Sequence, residues 1–193
     1  MGGRAYALRV GAKDATVERV AGEVVLRYER WYPHRAARVW SALTEPDELA
    51  CWLAAAAIDL SVGGEVMLHW LTGDDEGGEA ILHGAITALT APAPPSETSR
   101  TALLEYATDV HGVLRWELRR EADGTLLAFT ETNAVAGDFL LKVIAGWHLH
   151  LDHLEDHLDG SAVDWESWTP HTRARGSGLS WSDHYTRYAS RLT

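Results

Sequence analysis

Hydrophobic and polar residues alternate in short runs over most of the chain, and the period changes once, late. From Glu23 to Trp31, Leu26 and Tyr28 alternate with Arg27 and Glu29, the two-residue period of a half-buried strand. Tyr32-Pro33 ends it. Val39, Trp40 and Leu43 then form one helical stripe, and Leu49, Trp52 and Leu53 another. Between them, Thr44 is placed to cap the second helix, Pro46 suits its first turn and Asp47 completes a capping-box spacing.

Residues 58–131 read as a meander of strands. Ile58 to Val62 leads into Gly63-Gly64, a two-residue hairpin signal. Val66, Leu68 and Trp70 alternate with Glu65, Met67 and His69. The polar run 73–78 is a loop, and a strand near Ile81–Leu89 closes at the proline-rich turn 92–95. Leu104-Glu105-Tyr106 continues the sheet. Leu114, Trp116 and Leu118 alternate with Arg115, Glu117 and Arg119, and Asp123-Gly124 turns the chain into Leu127, Phe129 and Glu131. Then Leu140, Ile144, Trp147, Leu151, Leu154 and Leu158 recur every three or four residues, a helix of about five turns that Gly160 stops. A short terminal helix is expected over Ser182–Leu192, and no internal repeat is visible. The pattern divides the chain into an N-terminal arm or extra strand (1–22), one domain (23–160) and a C-terminal extension packed on it (161–193).

Composition narrows the function. With 17 Lys and Arg against 28 Asp and Glu, the net charge of −11 repels phosphate backbones and anionic membranes. Nucleic-acid binding is not expected, and neither is membrane insertion, since no run approaches ~20 apolar residues. One cysteine, Cys51, excludes an internal disulfide and reads as an inert thiol. The N-terminus carries no signal-peptide pattern, so the expected location is the cytoplasm. Nine Trp against two Phe is unusual, because indoles suit cavity walls and interfaces as well as cores.

Several segments resemble the Aha1-like (activator of Hsp90 ATPase homologue) branch of the START/Bet v 1, or SRPBCC, superfamily. They are Tyr28-Glu29-Arg30 through Pro33, Val39 to Pro46 with Leu49 and Trp52, Gly63-Gly64, Gly124-Thr125, and Ala145-Gly146-Trp147-His148 with Leu151, Asp152, Leu154, Leu158 and Gly160. Trp181, Tyr185 and Tyr188 are similar to the tails of bacterial members. The resemblance implies an α+β helix-grip fold, in which a curved antiparallel sheet of six to seven strands cups the long helix around an apolar cavity. It leaves the chemistry open, since the superfamily includes lipid and hormone carriers, polyketide cyclases, self-sacrifice resistance proteins and chaperone partners. Hsp90 stimulation is not expected, because that activity relies on a further N-terminal domain.

Strand alternation predicts the wall of such a cavity. Val66, Leu68 and Trp70 face inward with Tyr106, with Leu114, Trp116 and Leu118, and with Leu127 and Phe129. Trp147 and Leu151 face them from the helix, and Trp40 and Trp52 stand at the mouth. The alternative is that the same residues close a dry core. Arg30 and Glu131 are the polar candidates. A Glu131 in an apolar pocket would have a raised pKa suited to acid–base work, whereas one at the sheet rim would be ordinary. His148 and His150 flank the helical stripe and are weaker catalytic candidates. His153 and His157 share a helix face near Asp156 and Glu155, as two metal ligands would. That face is expected to meet water and no third ligand is evident, so no metal and no cofactor is expected.

The first functional reading is therefore binding of a small hydrophobic or aromatic molecule. The second is a cofactor-independent cyclase, dehydratase or hydrolase acting in the same cavity. The third is a chaperone-partner-like interaction module built on Trp165, Trp168 and Trp181, with those residues packing the tail or forming a homodimer as its alternatives.

Overall fold

The computed structural model describes residues 13–72, 78–94, 98–134 and 136–192. Residues 1–12 of the expected arm, residues 73–77 of the expected loop and Pro95 of the expected turn lie outside them. The sheet consists of β1 (Thr16–Val20), β2 (Glu23–Tyr32), β3 (Ala55–Ile58), β4 (Glu65–Trp70), β5 (Ala80–Thr90), β6 (Thr101–Thr108), β7 (Val113–Arg120) and β8 (Thr125–Asn133). The helices are α1 (Ala36–Thr44), α2 (Pro46–Leu49), α3 (Gly137–Leu158) and α4 (Trp181–Leu192). All eight strands join one antiparallel sheet in the order β1-β2-β8-β7-β6-β5-β4-β3. This is the helix-grip architecture, with the additional strand β1 paired along the outer edge of β2.

Alternation sets which face of the sheet is dry. Leu26, Tyr28, Leu114, Trp116, Leu118, Leu127 and Phe129 are all buried and share one face of the sheet. The Tyr28 hydroxyl donates to the Ile144 carbonyl at 2.7 Å, tying β2 to the middle of the helix. Trp116 and Phe129 stack with ring centroids 4.1 Å apart, and Trp147 from α3 closes on Phe129 at 4.5 Å. Burying Phe129 alone contributes about 1.5–3 kcal/mol. Trp52 packs edge-on against Trp116 at 6.2 Å while its indole N–H donates to the Ala42 carbonyl, which locks α1 and α2 over the same cluster.

Three local expectations are corrected. The hairpin between β3 and β4 is not a two-residue turn at Gly63-Gly64. The strand stops at Ile58, because Asp59 N–H already closes the ladder on Glu65 O and Ser61 N–H turns back onto Asp59 O. Thr44 does not cap α2: its hydroxyl donates back to Trp40 O at 2.9 Å, and Glu45 stands at the N-cap with no side-chain bond. The α3 face carrying His153 and Asp156 does not meet water. Residues 161–180 cover it: the Asp156 carboxylate accepts the backbone N–H groups of Arg175 (2.6 Å) and Gly176 (2.7 Å), and His153 lies against Trp165.

Candidate functional site

The rings of Trp116, Phe129 and Trp147 meet between sheet and α3, and open space lies beyond them, at one end of the bowl. There an open groove of about 770 Å³ runs between the end of β4, the β6–β7 turn, the first turns of α3 and the segment 165–181. Five indoles line it: Trp70, Trp147, Trp165, Trp168 and Trp181. Phe139 and Leu71 stand exposed on its lining. The indole N–H groups of Trp147 and Trp168 have no acceptor among the described residues. Gly146 also lines the groove, and a Cβ there would meet nothing nearer than the Trp181 indole nitrogen at 3.9 Å.

Of the residues expected along a cavity wall, Trp70 and Trp147 reach this groove. Trp40, Trp52, Val66, Leu68, Tyr106, Leu114, Trp116, Leu118, Leu127, Phe129 and Leu151 are all buried in the core instead. Among them the rings of Trp52, Trp116 and Phe129 are large enough to meet across the gap that smaller side chains would have left open. Trp116 donates its indole N–H to the Tyr106 hydroxyl, whose pKa burial pushes up to about 12.

Glu131 is fully buried on β8. Its Oε1 lies 3.0 Å from His111 Nδ1 and also accepts from the Asn133 side-chain amide. His111, in the β6–β7 turn, lines the groove between Trp70 and Trp147, with centroids 5.8 and 6.0 Å away. No sequence pattern singles out His111, which sits in a short polar turn without periodicity. Only the β7–β8 register, with Val113 opposite Thr132, places it beside Glu131.

His150 also reaches the groove, but both ring nitrogens are engaged. Nε2 accepts the Trp70 indole N–H at 3.2 Å and Nδ1 faces the Trp52 carbonyl at 3.4 Å. Burial, aided by the neighbouring His153, lowers its pKa to about 3, so the ring is neutral.

Arg30 and His148 belong to a second polar cluster, buried between β2, α3 and α4. His184 Nε2 donates to Asp152 Oδ2 at 3.1 Å, and the Arg30 guanidinium lies 3.9 Å from Asp152 Oδ1. His148 Nδ1 accepts the Tyr188 hydroxyl at 2.7 Å, and that hydroxyl accepts the Ala15 N–H. Burial, with His184 and Arg30 adding to it, lowers the His148 pKa to about 2. Burial would raise Asp152, but the hydrogen bonds from His184 and Ser177 oppose it, and the carboxyl lies below its ordinary range. His148, Asp152 and His184 bring metal-type donor atoms within 4.8 Å of one another. However, the two imidazoles stack at 3.9 Å and 22°, so their ring planes converge only far from both rings, well beyond the roughly 2 Å at which a shared metal would have to sit. The arrangement fits a network fastening α4 to α3. His157, one helical turn from His153, bonds Glu48 at 2.6 Å. Cys51 is half-buried, its thiol bonded to Asp47 O and its pKa raised by burial.

No helix among the described residues is long and apolar enough to cross a membrane. The fold is shared with a conserved protein of unknown function, EF2215, from Enterococcus faecalis, at a TM-score of 0.65 and 20% identity over 92% of this chain and 90% of that one. CalU16 from Micromonospora echinospora matches at a TM-score of 0.57 and 19% identity over 100% and 98%. DynU16, a protein in the dynemicin biosynthetic locus, matches at 0.56 and 19% over 80% and 58%. Comparison with curated protein sequences finds no match. The model of the family described as Activator of Hsp90 ATPase homolog 1-like protein matches residues 33–159, about two thirds of the sequence. The chain belongs to the Activator of Hsp90 ATPase homolog 1-like family.

Proposed function

We propose that the protein binds a small, flat, hydrophobic or aromatic molecule in the groove at the open end of the bowl, not between the sheet and α3. One observation carries the reading: five indoles converge on about 770 Å³ of space, within the usual size of a small-molecule site. The unpartnered N–H groups of Trp147 and Trp168 favour a guest that carries an acceptor oxygen. Gly146 adds support. A glycine within a helix costs about 1 kcal/mol relative to alanine, and here its missing side chain keeps the groove open. On this reading the segment from Trp165 to Trp181 supplies one wall of the site.

The test is a titration with two neutral probes, N-phenyl-1-naphthylamine and 2-naphthol, followed by Trp fluorescence and by melting temperature. Binding to the native state alone must quench the groove indoles and raise the melting temperature together. A probe at 100 times its Kd would stabilise the fold by about 2.7 kcal/mol. If neither probe, nor a wider panel of lipids and flavonoids, moves either signal, the proposal fails.

A further inference from the structure

We propose that His111, oriented by Glu131, is a general base at the end of the aromatic groove, and that its substrate is a planar aromatic compound with an acidic C–H or O–H. This rests on the binding reading above and adds chemistry to it.

The local chain is built to hold that ring. Gly112 follows His111 with φ +65°, and a Cβ there would lie 2.2 Å from the Thr132 carbonyl oxygen. Only glycine lets the β6–β7 turn press this closely on β8. Thr108 fixes the same turn: its N–H donates to Gly112 O at 2.7 Å, and its hydroxyl accepts the His111 N–H at 3.0 Å. The result is the 3.0 Å approach of His111 Nδ1 to the buried Glu131 carboxylate.

That contact selects a tautomer. A carboxylate accepts, so Nδ1 carries the proton and the Nε2 lone pair is left bare. Among the described residues nothing hydrogen-bonds His111 Nε2, whereas His150 has both nitrogens engaged. Asn133 donates to the same oxygen of Glu131 and so holds the carboxylate in place. Glu131 would then stabilise the imidazolium formed when Nε2 takes a proton, the role a carboxylate plays behind a catalytic histidine. Trp70 and Trp147 flank the imidazole and would set the plane of an aromatic guest against it. In the reaction a C–H or O–H bond of the guest breaks and an N–H bond forms on His111. The electron pair stays on the guest, where it delocalises or expels a leaving group. The imidazolium then returns its proton to the product or to water. No oxidant, metal or second substrate is needed.

5-Nitrobenzisoxazole is a suitable probe, being flat and aromatic and requiring only a base. The base takes the C3 proton, that electron pair becomes part of the nitrile, and the N–O bond breaks to give 2-cyano-4-nitrophenolate, which is coloured. Wild-type protein is expected to turn it over with saturation. His111→Phe, which keeps a ring in the turn, should lower kcat/KM by roughly 100-fold, as should His111→Gln. Glu131 acts as a positioning residue. Glu131→Gln should reduce kcat while KM stays within about threefold, and Glu131→Asp should recover part of the loss. Equal rates in wild type and both His111 variants would overturn the proposal. So would wild-type protein that binds N-phenyl-1-naphthylamine but does not turn over the benzisoxazole, and that result would leave the binding reading standing. If neither compound binds, both readings fall.

Discussion

Lowering the pH from 7 to 5 should cost the fold about 3 kcal/mol through His148 and His150, which burial holds neutral inside it, and burial depresses His153 in the same direction. An unfolded histidine titrates near 6.5, whereas in the folded chain burial brings His148 to about 2 and His150 to about 3. Below pH 6.5 the unfolded state binds protons that the folded state refuses. The stability is therefore full above pH 6.5 and is lost as the pH falls toward these depressed values. Each fully buried site loses about 1.36 kcal/mol per pH unit, so His148 contributes about 2 kcal/mol of loss between 6.5 and 5. His150 contributes about half as much, since it keeps one edge on the groove. Protonating His148 would break its bond from the Tyr188 hydroxyl; protonating His150 would break its bond from the Trp70 indole. Asp152 pulls the other way on His148, but burial, His184 and Arg30 outweigh it. Urea unfolding at pH 7, 6 and 5 measures the effect, and His150→Gln should flatten the slope by about a third. Unfolding free energies within 1 kcal/mol of each other at pH 7 and pH 5 would refute the reasoning.

Further outcomes follow from the packing. Trp116→Ala removes the centre of the aromatic stack and should cost about 3–5 kcal/mol in denaturant unfolding; a loss under 1 kcal/mol would mean the cluster is loosely packed. Asp156→Ala deprives two backbone N–H groups of a charged acceptor and should cost about 2 kcal/mol. Limited proteolysis within residues 161–180 should speed up in that variant, and an unchanged cleavage rate would contradict the fastening role. Gly112→Ala forces a methyl against the Thr132 carbonyl at positive φ and should destabilise by about 1–3 kcal/mol, read as a lower melting temperature. A neutral result would show that the turn does not need to sit on β8.

The sheet was legible wherever one face is dry and the other wet. Leu114/Trp116/Leu118 against Arg115/Glu117/Arg119 is such a strand, and β7 follows it. The long helix was legible from its stripe, and α3 runs Gly137–Leu158 as that stripe requires. What failed were inferences about what covers each face. His153 and Asp156 lie opposite the stripe, a position that means water only if nothing packs there. The covering segment 161–180 has no regular period to announce it. Alternation also shows which residues point inward, but not whether they leave space. Val66, Trp116 and Phe129 all point inward as the period demands, and the rings happen to meet. The groove arises from elements distant in sequence, 70–72, 111, 139–150 and 165–181, so no local pattern could outline it. His111 was missed for the same reason, whereas Glu131 was visible because it follows Phe129 on the inward face of β8.

The central claim, that the groove beside Gly146 receives the guest, is tested most directly by titrating N-phenyl-1-naphthylamine into wild type and Gly146→Leu. The substitution removes a helix-interior glycine, worth up to about 1 kcal/mol in stability, and projects a side chain into space that a Cβ shares only with Trp181 at 3.9 Å. The account predicts a variant that melts at the same or a higher temperature and binds the probe at least tenfold more weakly. Equal affinity in the two proteins would contradict it.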